Sequence, residues 1–573
     1  MSKFLLIFLS LLFLYSCSDS NNNSDINIPA TSEVETLIEH SREFEKKVLS
    51  YETPGGRIHF AIGFGIANSI MVEGENGNII IDAADSVYEA EQIYSLFSEK
   101  NDNPIKAIIY THNHGDHTFG AAYYLKSQNE KPQIIAHEDT DFYVQRIMGI
   151  LNPIITSRST RMFGTSLPEK DLINVGIGPN LSVSKSPTGY VKPDTTFSDT
   201  LKLNIEGIEL ELYHAPGETN DQIFIWLPKH KALMPGDNIY KTFPNLYTIR
   251  GTTHRDVKGW IDSIDHMKTF QPEYLFPSHT KPIIGKETIQ DALNIYRDAI
   301  QYIHDQTIRL MNQGLYPDEI ADIVKLPKEI ADSPYLYEFY GTVRWSVKSI
   351  FNGYLGWFSG NPAELDPLSR KEKASRISDL AGGSDMLLEQ LHLAVKEKNM
   401  QWALELSDYL ISLDLFTDEV KELRKEALIY EGSRSSNPNK RNYFLTSALE
   451  LNGSIEEISL LDRTSEDLLH QISIDTLFDV LSTRYNPEKE FINNYKVCFS
   501  FASGITKNIT IRNKVAVISN NIDGSCDLKI TSEEIEFKKT LTGLSSPVAQ
   551  IASGDLIVEG SSTEFLIFLT RFR

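Results

Sequence analysis

Cysteine is nearly absent: among 573 residues there are three, Cys17, Cys498 and Cys526. That count excludes a disulfide-stapled scaffold and any metal site built from cysteines alone. Cys498 and Cys526 either pair in an oxidising compartment or sit as two small buried thiols, and the sequence accommodates both. Positive charge is also short, with 55 Lys and Arg against 78 Asp and Glu and a net charge of −23. A nucleic-acid partner needs clustered Lys and Arg to neutralise phosphates, so that class is excluded. A small anionic substrate is not, because it responds to the local field of a pocket, where a metal ion reverses the sign. Long apolar runs are missing too. Residues 4–14 come nearest and fall short of the roughly 20 that span a bilayer as a helix.

That run reads as a leader. Lys3 supplies its charged start, and it ends in Leu14-Tyr15-Ser16-Cys17, which resembles a bacterial lipobox cut before the cysteine. Residues 1–17 are expected to be a lipoprotein signal and Cys17 the lipidation site. The chain is then an exported lipoprotein, periplasmic or at the cell surface, held to a membrane by its lipid. The SDSNNNSD that follows is a polar tether, and residues 18–50 are expected to hold it and an N-terminal helix.

A chain of this length divides into several domains. Up to about Gly285, short apolar runs alternate with helical stretches. Residues 66–72 and 78–81 read as hairpin strands around Glu75-Asn76-Gly77; 105–110, 133–136, 223–227, 231–234 and 274–276 are further strands bounded by Gly, Pro or Asn. Residues 86–100 and 119–127 have helical spacing. Strands interleaved with helices indicate an α/β sandwich, assigned to 51–300. From Glu287 the pattern is helical. Ile289, Ala292, Leu293, Tyr296, Ala299, Ile300 and Ile303 mark one face. Stripes at Leu387, Leu391 and Val395, and at Trp402, Ala403, Leu406 and Tyr409, resemble degraded tetratricopeptide-like pairs. This all-α block, 301–455, reads as packing and interaction. The third block, 456–573, runs helix, strands, helix, with strands at 495–501, 505–512 and 515–518. Its last helix puts Phe565, Leu566, Phe568, Leu569 and Phe572 on one side. Such a block encloses either a cavity for aliphatic chains or a filled core.

The chemistry is concentrated after the apolar run 105–110, in Thr111-His112-Asn113-His114-Gly115-Asp116-His117. A strand feeding a tight loop places His112 and His114 on one side and turns Asp116 and His117 toward a neighbouring position. Imidazole and carboxylate are the donors that borderline metals such as zinc accept, and four within six residues are not explained by packing. Two metals need more ligands, on later strand ends. The chain runs through His214 to Pro216-Gly217-Glu218; another strand ends in Pro235-Gly236-Asp237; a third ends in Pro277-Ser278-His279.

The HxHxDH string, the later carboxylates and the final histidine resemble the metallo-β-lactamase superfamily. Within it, Glu218 stands where most members have histidine, as in the alkyl sulfatases. Phe243-Pro244-Asn245-Leu246-Tyr247-Thr248-Ile249-Arg250-Gly251 looks like the sulfate-binding segment of those enzymes. Phe339-Tyr340-Gly341-Thr342-Val343-Arg344-Trp345 and Gly353-Tyr354-Leu355-Gly356-Trp357-Phe358 also look like that family. The resemblance spans nearly all of the mature chain. It implies a metallo-β-lactamase αββα sandwich, a helical dimerisation domain and a C-terminal α+β domain like sterol carrier proteins, and with them a homodimer. It further implies two zinc ions per chain, one held by His112, His114 and Glu218 and the other by Asp116, His117 and His279, with Asp237 between them or on the second. Asp116, Glu218 and Asp237 are the carboxylates expected to serve the reaction.

The expected reaction is hydrolysis of alkyl sulfate esters, dodecyl sulfate-like, by a metal-activated water, giving an alcohol and inorganic sulfate. Arg250, Asn245 and, from the helical block, Arg344 are expected to hold the sulfate. His254 or Arg255 is placed to help it depart. Phe60, Phe64, Phe243, Tyr247 and Trp345 either line a channel for the alkyl tail or belong to the core. Two other readings remain: the same fold acting on a phosphodiester, lactone or β-lactam, and a lipid-binding surface lipoprotein with a relic metal site.

Overall fold

The computed structural model describes residues 28–181, 188–451, 466–489, 494–521 and 524–572. The leader, Cys17 and the tether after it lie outside the described residues.

Two sheets face each other in the first block. One holds β1 (Lys47–Thr53), β2 (Gly56–Ile62), β3 (Ser69–Glu73), β4 (Asn78–Ile81), β5 (Ile105–Ile109), β6 (Gln133–His137) and β7 (Thr195–Phe197), adjacent in that order. β1 to β4 are antiparallel and β4 to β7 parallel. The other holds β8 (Thr200–Ile205), β9 (Ile208–His214), β10 (Ile223–Leu227), β11 (Ala232–Met234), β12 (Tyr274–Leu275) and β13 (Ile283–Ile284), also adjacent in order.

The central strands are continuous apolar runs because both of their faces are covered. With the two-residue period of a strand, Ile79, Ile81, Ala107 and Ile109 point between the sheets, where Leu210, Leu212, Ile223 and Ile225 meet them. Ile80 and Ile108 point the other way, onto Ala90, Ile93 and Phe97 of the helix Val87–Ser98 and onto the helix Ala121–Ser127. The helices Val257–Thr269 and Lys286–Met311 cover the outer face of the second sheet. The result is the expected helix–sheet–sheet–helix sandwich. Each buried Ile or Leu contributes about 1.5–3 kcal/mol, which concentrates stability between and beside the sheets.

Three features differ from the sequence reading. The sheet begins at Lys47, before 51, because β1 is an edge strand whose partial exposure blurs its pattern. The helix Lys286–Met311 runs through 300 and packs on the second sheet, so no boundary falls there. The helices Thr140–Met148 and Asn152–Phe163, which the hydrophobic pattern did not reveal, roof the site.

The helices Arg370–Ala381, Ser384–Lys396, Met400–Ser412, Asp418–Ser433 and Pro438–Glu450 form a helical domain around Leu387, Leu391, Ala403, Leu406 and Leu410, with Trp402 on its exposed side. Its last helix turns a polar face to the first domain. Asn437 Nδ2 donates to Tyr340 O at 3.0 Å, and Arg441 NH1 donates to Asp171 O at 2.7 Å. The C-terminal domain is a five-stranded sheet with helices on it. Rings of Phe478, Phe499 and Phe537 pack at 5.1 to 5.9 Å there, so the described residues make a filled core. A disulfide joins Cys498 to Cys526, with 5.9 Å between their Cα atoms. No helix among the described residues is long and apolar enough to cross a membrane.

Candidate metal centre and substrate cavity

All seven expected metal ligands converge at the strand ends facing the helix pair. His112, His114, Asp116 and His117 follow β5; Glu218 follows β9; Asp237 follows β11; His279 follows β12. Their donor atoms form three overlapping groups, His112–His117–Asp237, Asp116–His117–His279 and His114–Glu218–Asp237, each within 4.8 Å. Asp237 is the hub: its Oδ2 lies 3.1 Å from His279 Nε2, 3.5 Å from His117 Nε2 and 3.6 Å from His112 Nε2. Asp116 Oδ2 stands 3.3 Å from His117 Nε2 and 3.6 Å from His279 Nε2. One group reproduces the expected second set. Of the other expected set, His114 groups with Glu218 and Asp237, and His112 Nε2 lies 2.9 Å from His114 Nδ1 while also grouping with His117 and Asp237.

The surroundings aim these donors. Asp82, directly after β4, accepts from His117 Nδ1 at 2.8 Å, Ser278 Oγ at 2.7 Å and Thr111 N at 2.9 Å. It fixes His117 with Nε2 toward the cluster and ties two ligand-bearing loops together, the one after β5 and the one after β12. Asp82 holds φ +61°, a left-handed conformation that costs a non-glycine residue about 1–2 kcal/mol. Asp82 is not among the residues expected from the sequence, although a carboxylate closing an apolar strand was the available signal. His279 is oriented by Ile66 O at 2.8 Å from Nδ1. Glu218 is held by Arg255, whose NH1 is 2.9 Å from Oε1, and by Tyr240, whose hydroxyl donates to Oε2 at 3.1 Å.

The donors fit a metal. Among the described residues His117 Nε2 and Asp237 Oδ1 are buried without a hydrogen-bond partner, as expected of atoms aimed at an ion. Burial and neighbouring charge, from His117 for His112 and from His112 for His114, hold both imidazoles well below their usual pKa, in the neutral form that ligates. Burial alone would raise the Asp237 carboxyl, but His279, His117 and His112 hold it well below the usual range, ionised. Four imidazoles and three carboxylates, with no thiolate, are a donor set for a borderline or hard cation.

A cavity of about 160 Å³ opens from His114, Asp116, Glu218, Asp237 and Arg250 and runs between apolar walls that include Phe119, Val144, Met148, Ile155 and Phe163. Arg250 sits at the polar end, its NH2 3.0 Å from His114 Nε2. Tyr340 lines the cavity as well. Asn245 is buried beside this end, with both side-chain amide atoms unpartnered. Its main-chain N–H donates to Tyr240 Oη at 2.9 Å and its carbonyl accepts from Arg255. Gly341 lets these segments meet, since a Cβ there would stand 2.0 Å from Pro244 O.

Several expectations are corrected here. Arg344 is not at the site. Thr342 caps the helix Val343–Leu355, which puts Arg344 in its first turn facing solvent, paired with Asp322. Tyr340, two residues before that cap, points inward instead. His254 is exposed, lies against Gly353 and borders a separate depression with Tyr247 and Trp345. Arg255 faces Glu218 rather than a leaving group. Phe60 and Phe243 belong to the cores beneath, and none of the five proposed channel aromatics lines the cavity. Its apolar walls come largely from the unread helices. There Asn152, Ile155, Thr156, Ser159, Thr160 and Phe163 fall at helical spacing, but hydroxyl residues dilute the hydrophobic signal. His214 stacks on His137 at 4.2 Å and is not among the donors.

Comparison with known proteins agrees with this architecture. The metallo-beta-lactamase superfamily matches residues 62–279, alkyl sulfatase dimerisation residues 316–454, and alkyl sulfatase C-terminal residues 462–572. A linear primary-alkylsulfatase of a Pseudomonas species is 35% identical over 518 residues, 88% of this chain and 98% of that protein. The chain belongs to the alkyl sulfatase family. Its members are sulfuric ester hydrolases of the metallo-β-lactamase superfamily. The alkyl/aryl-sulfatase BDS1 of Saccharomyces cerevisiae is 26% identical over 87% of this chain and 78% of its own. The solved stereoselective inverting sec-alkylsulfatase Pisa1 of a Pseudomonas species superposes with a TM-score of 0.86. It is 23% identical and aligns over 94% of this chain and 86% of its own.

Proposed function

We propose that this alkyl sulfatase uses two zinc ions per chain to hydrolyse linear alkyl sulfate esters of the dodecyl sulfate type. The observation that carries the reading is the meeting of a seven-donor metal cluster and Arg250 with an apolar cavity in one opening. His112, His114, Asp116, His117, Glu218, Asp237 and His279 would hold the metals. When bound, zinc supplies Lewis acidity and lowers the pKa of a water toward neutrality. The chain does the rest. Arg250 offers a planar fork of donors to the sulfate oxygens, and Asn245 an unpartnered amide beside it. The apolar walls align the alkyl chain and exclude water from it. Asp116 and Asp237, ionised, are the acceptors available for a proton lost by the attacking water. Turnover of dodecyl sulfate against a bis-aryl phosphodiester tests the substrate class, and faster cleavage of the diester would overturn it.

The resemblance of 14–17 to a lipobox supports an exported, lipid-anchored protein. So does the Cys498–Cys526 disulfide, a bond that persists in oxidising compartments. Labelling with a fatty-acid probe, lost in Cys17→Ala, checks the anchor. The dimerisation domain and the exposed Trp357, 73% accessible, support a homodimer, read by sedimentation.

A further inference from the structure

Arg250 and His114 face two cavities. The second, about 220 Å³, runs from Asn113, His114 and Arg250 outward between the roofing helices and the loop 251–253. Both cavities share Asn113, His114, Ile147, Ile155 and Arg250, so they meet where a substrate headgroup would sit. Their walls differ in kind. The first is mostly apolar, and its acids are the metal donors. The second carries Arg146 and Arg158 in addition to Arg250, and among the described residues no Asp or Glu lines it.

In a chain with 78 acidic residues, arginines normally find carboxylates. Arg146 is exposed and Arg158 half-buried, and neither has an ion pair or hydrogen bond with any described residue. Gly251, at φ +106°, places no side chain between the loop and Arg158; a Cβ there would stand 3.9 Å from its NH1. Three guanidinium groups around one acid-free passage give it a fixed positive potential inside a strongly negative protein.

Hydrolysis of an alkyl sulfate splits one amphiphile into two products of opposite character. The alcohol still fills the apolar cavity when the sulfate dianion forms at Arg250. A dianion retreating past Phe119, Val144 and Phe163 would lose its hydration without compensation. We propose that the second cavity is an anion vestibule in which Arg146 and Arg158 receive inorganic sulfate and carry it to solvent, while the alcohol leaves by the apolar cavity. This assignment rests on the alkyl sulfatase reading.

The test uses inorganic sulfate as the probe, on zinc-loaded protein lacking residues 1–17. Sulfate is titrated calorimetrically, and its inhibition of dodecyl sulfate hydrolysis is measured alongside. Replacing both arginines, R146Q with R158Q, should weaken sulfate binding and inhibition together by about tenfold. The charge-keeping pair R146K with R158K should stay near the parent. Affinity within twofold of the parent in the glutamine variant overturns the vestibule, as does equal weakening in both variants, which would mean shape rather than charge. If the parent hydrolyses no alkyl sulfate, the functional reading fails, and the titration alone still decides whether these arginines hold a tetrahedral dianion.

Discussion

Asp82 Oδ2 accepts the Nδ1 proton of His117 at 2.8 Å, which leaves Nε2 of that ring 3.5 Å from the Asp237 hub. One carboxylate outside the metal cluster therefore sets the orientation of a ligand inside it. The same oxygen also binds Ser278, next to His279, so a single side chain spans the first and last ligand loops.

Asp82→Ala should lower metal affinity by about 10–100-fold with the seven donors still present. Competition with a chromophoric chelator measures this. Unchanged affinity would mean that His117 is oriented by packing alone.

Arg255 and Glu218, each 1% exposed at the side chain, form a buried pair at 2.9 Å. Arg255→Met leaves a buried carboxylate with Tyr240 as its main remaining partner. Urea unfolding of the metal-free protein should show a loss of about 3–5 kcal/mol. Added metal should recover part of it, because a cation replaces the missing charge. A loss below about 1 kcal/mol would contradict the pairing.

Arg250 and Arg344 separate by experiment. Arg344 is half-exposed in a solvent-screened pair with Asp322, so Arg344→Ala should leave kcat/KM unchanged and cost under about 1 kcal/mol of stability. Arg250→Ala should reduce kcat/KM by about 100-fold or more, the loss expected for a charge-assisted contact to the reacting group. Equal effects would return Arg344 to the site.

The apolar walls make a quantitative demand on substrate length. Each methylene buried is worth about 0.8 kcal/mol, so KM should fall about fourfold per added methylene until the cavity is filled. Ile155→Trp, which narrows it, should stop that fall at a shorter chain. A flat KM series would place the tail elsewhere.

Glu89 is 1% exposed under Ser86 and beside Asp85, and burial, with the Asp85 charge, pushes its pKa up to about 9 from an ordinary 4.5. A carboxyl whose folded pKa is raised contributes stability that is complete below the unfolded value and is lost as pH rises toward the folded one. Between pH 5 and 9 the Tm of the parent should therefore fall relative to Glu89→Gln, which cannot ionise. Parallel profiles would show that Glu89 is already charged.

The candidate donors that converge were legible because strand-end chemistry survives in sequence: each stands just past an apolar run, beside Pro, Gly or a tight turn. The sandwich was legible in the short apolar runs that became β4, β5 and β10, set between helical stretches. What escaped notice depends on three dimensions. The roofing helices mix Thr and Ser with Ile because one face borders a cavity rather than a core. Asp82 acts on a residue thirty-five positions away. Arg344 and Tyr340 share one motif, and only the cap at Thr342 decides which of them turns inward.

The most direct test is sulfate release from dodecyl sulfate by protein lacking residues 1–17, with metal content determined on the same sample and on His114→Ala. About two zinc ions per chain with stoichiometric release of sulfate and dodecanol, and loss of both metal and turnover in the variant, is the predicted result. Zinc retained without release of sulfate, or release undiminished in the variant, would contradict it.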